Sequence, residues 1–227
     1  MLKKIKNELI YLSTLRRILS SLKSINNDEN SIITKRIASF ADKSPDSIAI
    51  YFEDREISYR ELINGANQYS HWFLDNGLQK GDVVALLMEN RPEFLMAWIG
   101  IAQVGGTAAL INTNLTGHPL NHSLSISGAN KLILGKELVT NFETTDDTIK
   151  SGFQVWIEGD TEKTNYEKLN LALEKLSNIM PSISYNVTNE DVALYIYTSG
   201  TTGDHKAATI THRTVSYTHL RAHENQT

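Results

Sequence analysis

Thr198, Ser199, Gly200, Thr201, Thr202 and Gly203 form an unbroken run of small residues, and Lys206 follows three positions later. Hydroxyls, glycines and one cation in that order suit the binding of an anion. The glycines let backbone N–H groups approach a ligand closely and adopt positive φ, and the hydroxyls add donors, so the loop can form a nest for phosphate oxygens. Lys206 adds a point charge for the same anion. A flexible Gly/Thr connector would have the same composition, and composition alone does not separate the two readings. Two familiar phosphate loops are excluded, because neither G-x-x-x-x-G-K-[ST] nor G-x-G-x-x-G occurs in the chain.

The loop follows a predicted strand over 193–198, and the carboxyl ends of strands are where open α/β sheets bind ligands. The elements that must position it alternate along the chain. Helical spacing covers 31–43 and stops before Ser44-Pro45, and a strand over 47–52 turns at Glu53-Asp54-Arg55 into a second short one. Ser58 and Glu61 have capping-box spacing, which opens a helix running to Asn76, with Gly77 placed for a left-handed cap. The apolar run 83–88 reads as a strand buried on both faces. Pro92 suits a helix first turn, and the helix continues to Val104. Further strands are predicted over 107–111, 131–134 and 154–157, and helices over 119–127 and 166–176; residues 136–152 read as an irregular surface excursion. This alternation predicts an α/β fold, mainly a parallel sheet with helical crossovers.

With 41% apolar residues the 227-residue chain can bury a sizeable core, and with no cysteine it has neither disulfides nor thiolate metal sites. The absence of cysteine fits a reducing compartment. The formal charge of −4 argues against a general nucleic-acid partner, but it conceals an asymmetry. Residues 1–25 carry six Lys/Arg against one Glu, a net of +5, which leaves −9 for the rest. In that segment Leu2, Ile5, Leu9, Leu12, Leu15, Leu19 and Leu22 fall on one helical face, so a basic amphipathic helix is expected, ending in the polar linker 26–30. It is too charged for a membrane span or a signal peptide. It either docks on its own domain or lies in a membrane interface, its cations near anionic headgroups. His118 with His122, and His219 with His223, have i,i+4 spacing but no placed third ligand, so no metal site is expected. Trp72, Phe73, Phe94 and Trp98 are expected in the core.

The order of the loop residues carries a resemblance. Tyr195-Ile-Tyr-Thr-Ser-Gly-Thr-Thr-Gly203 with Lys206 resembles the phosphate loop of the adenylate-forming (AMP-binding) superfamily. ENRPEF at 89–94, the run 105–115 with Asn112-Thr113-Asn114, and Lys206-Ala207-Ala208 resemble its fatty-acid-transport-protein and very-long-chain acyl-CoA synthetase branch. His212-Arg213 is similar to an element that follows the loop in the family. The chain departs at His205, where the family has proline, and at Asp204; the turn should be looser, and a carboxylate there repels phosphate.

The resemblance implies a two-step reaction. A fatty carboxylate attacks the α-phosphate of Mg-ATP, giving acyl-adenylate and pyrophosphate, and CoA then displaces AMP. Thr198, Ser199, Gly200, Thr201, Thr202, Gly203 and Lys206 would cradle the β- and γ-phosphates. None serves as a general base, and an ionised carboxylate needs none. ATP, Mg2+ and CoA are the implied cofactors, with the CoA site outside this chain. Other acid-CoA ligases (bile acid, carnitine-type or aryl acid) and a non-catalytic membrane-associated module are the alternatives. The expected organisation is a helix and linker over 1–30 and a partial large subdomain over 31–213, without the C-terminal subdomain. Residues 214–227 are expected to be non-native, since SYTHLRAHE resembles a translated sequencing adaptor; the isolated chain is then expected to be poorly soluble and inactive. The location expected is cytoplasmic, peripheral on the inner face of a membrane through residues 1–25.

Overall fold

The computed structural model describes residues 32–162, 164–199 and 205–216. The basic segment 1–25, most of the expected phosphate loop, and the tail from residue 217 with His219 and His223 lie outside the described residues.

Helix α1 (Ile33–Lys43) leads into an antiparallel ribbon of β1 (Ile48–Phe52) and β2 (Arg55–Ser58). Ser58 then caps α2 (Tyr59–Asp75): its hydroxyl accepts from the Glu61 N–H, and the Glu61 carboxylate accepts from the Ser58 N–H at 2.8 Å. Two of the orphan donors of the first turn are thereby satisfied. The predicted cap at Gly77 forms with φ 73°.

The apolar run at 83–88 becomes β3 (Val83–Leu87), the middle strand of a seven-stranded sheet. Pro92 opens α3 (Pro92–Gln103), followed by β4 (Thr107–Leu110), α4 (Gly117–Ile126) and β5 (Lys131–Gly135). Next come α5 (Val139–Glu143), α6 (Asp147–Gly152), β6 (Gln154–Glu158), β7 (Glu167–Lys168), α7 (Asn170–Leu173), β8 (Val192–Ser199) and β9 (His205–Thr211). The strand order is β7-β6-β5-β3-β4-β8-β9, parallel throughout except for the antiparallel β8–β9 pair at the edge.

Side-chain alternation divides the core in two. Val84, Leu86, Ile133 and Trp156 face α2 and α3, where Trp72 meets Trp156 edge-on with ring centroids 4.6 Å apart. Ala85, Leu87, Leu132, Leu134 and Ile157 face Leu120, Leu124 and Phe142 on the opposite side. Trp72 and Phe73 are core residues as expected, and Phe94 and Trp98 pack partly buried against it. Gly100 lets α2 and α3 approach: a Cβ there would lie 2.8 Å from the Ala66 carbonyl oxygen and 2.6 Å from the Tyr69 Cβ.

Two sequence expectations are corrected. Residues 136–152 are not an irregular surface excursion; they form a 3-10 turn (Lys136–Leu138), α5 and α6, and they bury Leu138, Val139 and Phe142 in the second core. That burial outweighs the polar composition around them. The helix expected over 166–176 is only the short α7, because Glu167 and Lys168 pair with Trp156 and Ile157 and extend the sheet. Leu169 and Leu173, one helical turn apart, still reach the core.

Candidate functional site

β8 runs parallel to β4, with Leu194 beside Ala108 and Ile196 beside Leu110, so its carboxyl end reaches the same edge of the sheet as those of β3 and β4. β9 returns antiparallel from that end. Thr198 pairs with Lys206 and Ser199 with His205 in the backbone register. Of the predicted site residues, the backbone register therefore brings Thr198 and Lys206 opposite one another; Gly200, Thr201, Thr202 and Gly203 lie outside the described residues.

The base of the hairpin is firmly held. The Thr107 hydroxyl donates to the Val192 carbonyl at 2.9 Å. Asp191 pairs with Lys80 at 2.8 Å and accepts from the Thr188 N–H at 2.7 Å. Burial alone would raise the Asp191 pKa, but these partners hold it below its ordinary value. After β9, a helical turn over 212–216 is tied back by the His212 N–H to the Asp191 carbonyl (3.1 Å) and the Arg213 N–H to the Asn189 carbonyl (2.9 Å). An ion pair between Arg213 and Glu190 at 2.8 Å reinforces it.

Two groups here are buried without a hydrogen-bond partner among the described residues. The Tyr197 hydroxyl, one residue before the loop, has its pKa pushed up to about 12 by burial and by Tyr195, so the phenol stays protonated. Both ring nitrogens of His212 are likewise unpaired in a side chain with 0% exposure, and burial pushes its pKa down to about 4. A neutral His212 is therefore part of the packing beneath the hairpin.

A second concavity opens on the same sheet edge, a groove of about 510 Å³ across the carboxyl ends of β3, β5 and β6. β3 and β5 flank the point where the chain reverses its direction of travel across the sheet, the usual place for a ligand crevice in such folds. Arg91 clamps its walls together: its guanidinium donates to the Glu137 carboxylate and to the Glu158 carbonyl, both at 3.1 Å. The Glu158 side chain is buried and accepts from the Tyr69 hydroxyl at 2.7 Å; burial raises its pKa, opposed by Tyr69 and Arg91. Sequence reasoning missed this network. Arg91 precedes a helix-opening proline, yet its partners lie 46 and 67 residues away, and no local spacing signals them.

His118 is exposed and His122 half-buried on α4, and among the described residues no three His, Cys, Asp or Glu side chains gather to hold a metal ion. Among the described residues no helix is long and apolar enough to cross a membrane.

Comparison with known proteins places this geometry. The AMP-binding enzyme family matches residues 37–227. Long-chain fatty acid transport protein 6 of Mus musculus is 31% identical over 181 residues, covering 78% of this chain and 29% of its own length. Long-chain fatty acid transport protein 2 of Rattus norvegicus is 34% identical over 184 residues, again covering 78% of this chain and 29% of its own length. The chain thus spans less than a third of the curated relatives it matches. Among solved structures, a fatty acyl CoA synthetase of Mycobacterium tuberculosis superposes with a TM-score of 0.68 at 26% identity, over 82% of this chain and 36% of its own. The fold is that of the N-terminal domain of adenylate-forming enzymes, and the chain belongs to the AMP-binding enzyme family.

Proposed function

We propose that this chain supplies the triphosphate-binding part of a long- or very-long-chain fatty acid CoA ligase. The observation that carries the proposal is the β8–β9 hairpin, which brings Thr198 into register with Lys206 at the ligand-binding edge of a parallel sheet. Phosphoryl-type transfer depends mainly on positioning and on stabilising charge spread over phosphate oxygens. A hairpin anchored at its base by Thr107, Asp191 and the backbone bonds of His212 and Arg213 meets the positioning requirement. In this reading Thr198, Ser199, Gly200, Thr201, Thr202, Gly203 and Lys206 hold the β- and γ-phosphates of Mg-ATP while a fatty carboxylate attacks the α-phosphate. CoA then takes the acyl group at a site beyond this chain.

The preference for a fatty acid rests on similarity to proteins named as long-chain fatty acid transport proteins and to a fatty acyl CoA synthetase. The domain reading is a partial large subdomain over 31–213 behind a basic helix over 1–25, which would rest on the cytoplasmic face of a membrane; residues 214–227 are read as non-native. The test is mass-spectrometric trapping of adenylates by the full-length protein carrying residues 1–213, offered palmitate, lignocerate, benzoate and cholate with Mg-ATP. Palmitoyl- or lignoceroyl-adenylate is the expected product. Adenylates of benzoate or cholate alone would favour another acid-CoA ligase, and none at all would favour a non-catalytic module.

A further inference from the structure

Helix α1 has an outward face that the reaction does not use. Lys35, Arg36, Ser39, Phe40 and Lys43 recur at one- and four-residue steps, so they lie on one side of the helix, and together they line a shallow recess of about 330 Å³. The opposite side carries Ile33, Thr34 and Ala41 into the protein. Phe40 is 52% exposed, with its ring stacked on Tyr59 at 6.0 Å between centroids, and three cations stand around it. Asp42, though exposed, is not part of the recess.

An exposed aromatic ring framed by long cationic side chains is the arrangement of an interfacial anchor. The ring enters the boundary between headgroups and acyl chains, and the Lys and Arg stems extend so that their charges stay among anionic headgroups. The face also continues a sequence pattern. The segment just before α1, residues 1–25, has a net charge of +5 and an apolar stripe, whereas the rest of the chain sums to −9. Like charge disfavours packing of that segment against the Lys35–Lys43 face. A negatively charged surface would attract both at once.

We infer that the Lys35–Arg36–Phe40–Lys43 face of α1 is a docking surface for an anionic lipid bilayer, a second contact beside residues 1–25. The inference rests on the membrane reading of that segment but not on adenylation, which can fail without affecting it. The ligase would then sit with α1 against the bilayer, its orientation fixed by two separate contacts.

The chain has no cysteine, so Ser39→Cys gives a single attachment point for an environment-sensitive dye on the recess wall. The labelled full chain is titrated with vesicles of phosphatidylcholine alone, or with about 30% phosphatidylserine, at about 0.15 M salt. Soluble inositol phosphate serves as the free-phosphate arm. A blue shift with the anionic vesicles only is expected. Lys35→Glu and Lys43→Glu should each weaken vesicle binding at least about fivefold. Phe40→Ala should reduce the blue shift, while thermal melts stay close to that of the parent. Dye emission unchanged on vesicles that nevertheless sediment the chain would overturn the inference, leaving residues 1–25 as the sole contact. An equal shift with neutral vesicles or with inositol phosphate would overturn it as well.

Discussion

His212 offers a sharp test of the packing that holds the hairpin. Its side chain has 0% exposure, its ring nitrogens find no partner among the described residues, and burial lowers its pKa from 6.5 to about 4. The folded state therefore prefers neutral imidazole, while the unfolded chain protonates it near pH 6.5. Its contribution is fully present above pH 6.5 and is lost as the pH falls towards 4. At ~1.4 kcal/mol per tenfold change in proton affinity, the drop amounts to ~3 kcal/mol. Against a typical domain stability of ~5–15 kcal/mol that is a large share. Glu158 acts in the opposite sense: its raised pKa means that acidification relieves a buried charge. Comparison with His212→Leu removes that contribution, because Glu158 is common to both proteins and lies at the end of β6, four strands from β8. Urea denaturation from about pH 7 to about pH 4.5 should show the wild type losing ~2–3 kcal/mol more than His212→Leu. The variant should match or exceed the wild type at neutral pH, since it removes two unpaired buried nitrogens. Parallel loss of stability in the two proteins would refute the reasoning.

Three further substitutions probe the scaffold. Gly100→Ala drives a methyl group to 2.8 Å from the Ala66 carbonyl oxygen, so thermal denaturation should show a loss of ~1–3 kcal/mol from forced separation of α2 and α3. Ser58→Ala removes one half of the capping box and should cost ~1 kcal/mol in the same assay, with most of it recovered by Ser58→Asp. Arg91→Met leaves the Glu137 carboxylate and the Glu158 carbonyl without their shared donor and should cost ~1.5–3 kcal/mol in urea denaturation.

Much of this architecture is legible from local patterns. The capping box at Ser58, the proline at position 92 and the apolar run at 83–88 each have one cheap physical solution, and the structure adopts it. The family is legible too, because the order of the residues from Thr198 to Gly203, rather than their composition, is distinctive. What escapes sequence reading depends on distant partners. Leu138, Val139 and Phe142 carry a helical i, i+1, i+4 signal, but polar neighbours through Asp147 obscure it. Tyr166–Leu176 has helical spacing, yet the free edge of β6 captures Glu167 and Lys168 as a strand. The Arg91 clamp arises only when strand ends far apart in sequence meet at the carboxyl edge of the sheet, and the burial of His212 only when β9 returns to the opposite edge beside Asp191.

The central claim is that the connection between Thr198 and Lys206 holds the triphosphate during adenylation of a fatty acid. Fatty-acid-dependent ATP–pyrophosphate exchange, measured on the full-length protein and on its Lys206→Ala variant, tests it most directly. Removing one charge-assisted phosphate contact worth ~1.5–3 kcal/mol should slow exchange roughly ten- to a hundred-fold, with thermal stability little changed. Equal exchange rates in the two proteins would contradict the claim and remove Lys206 from the site.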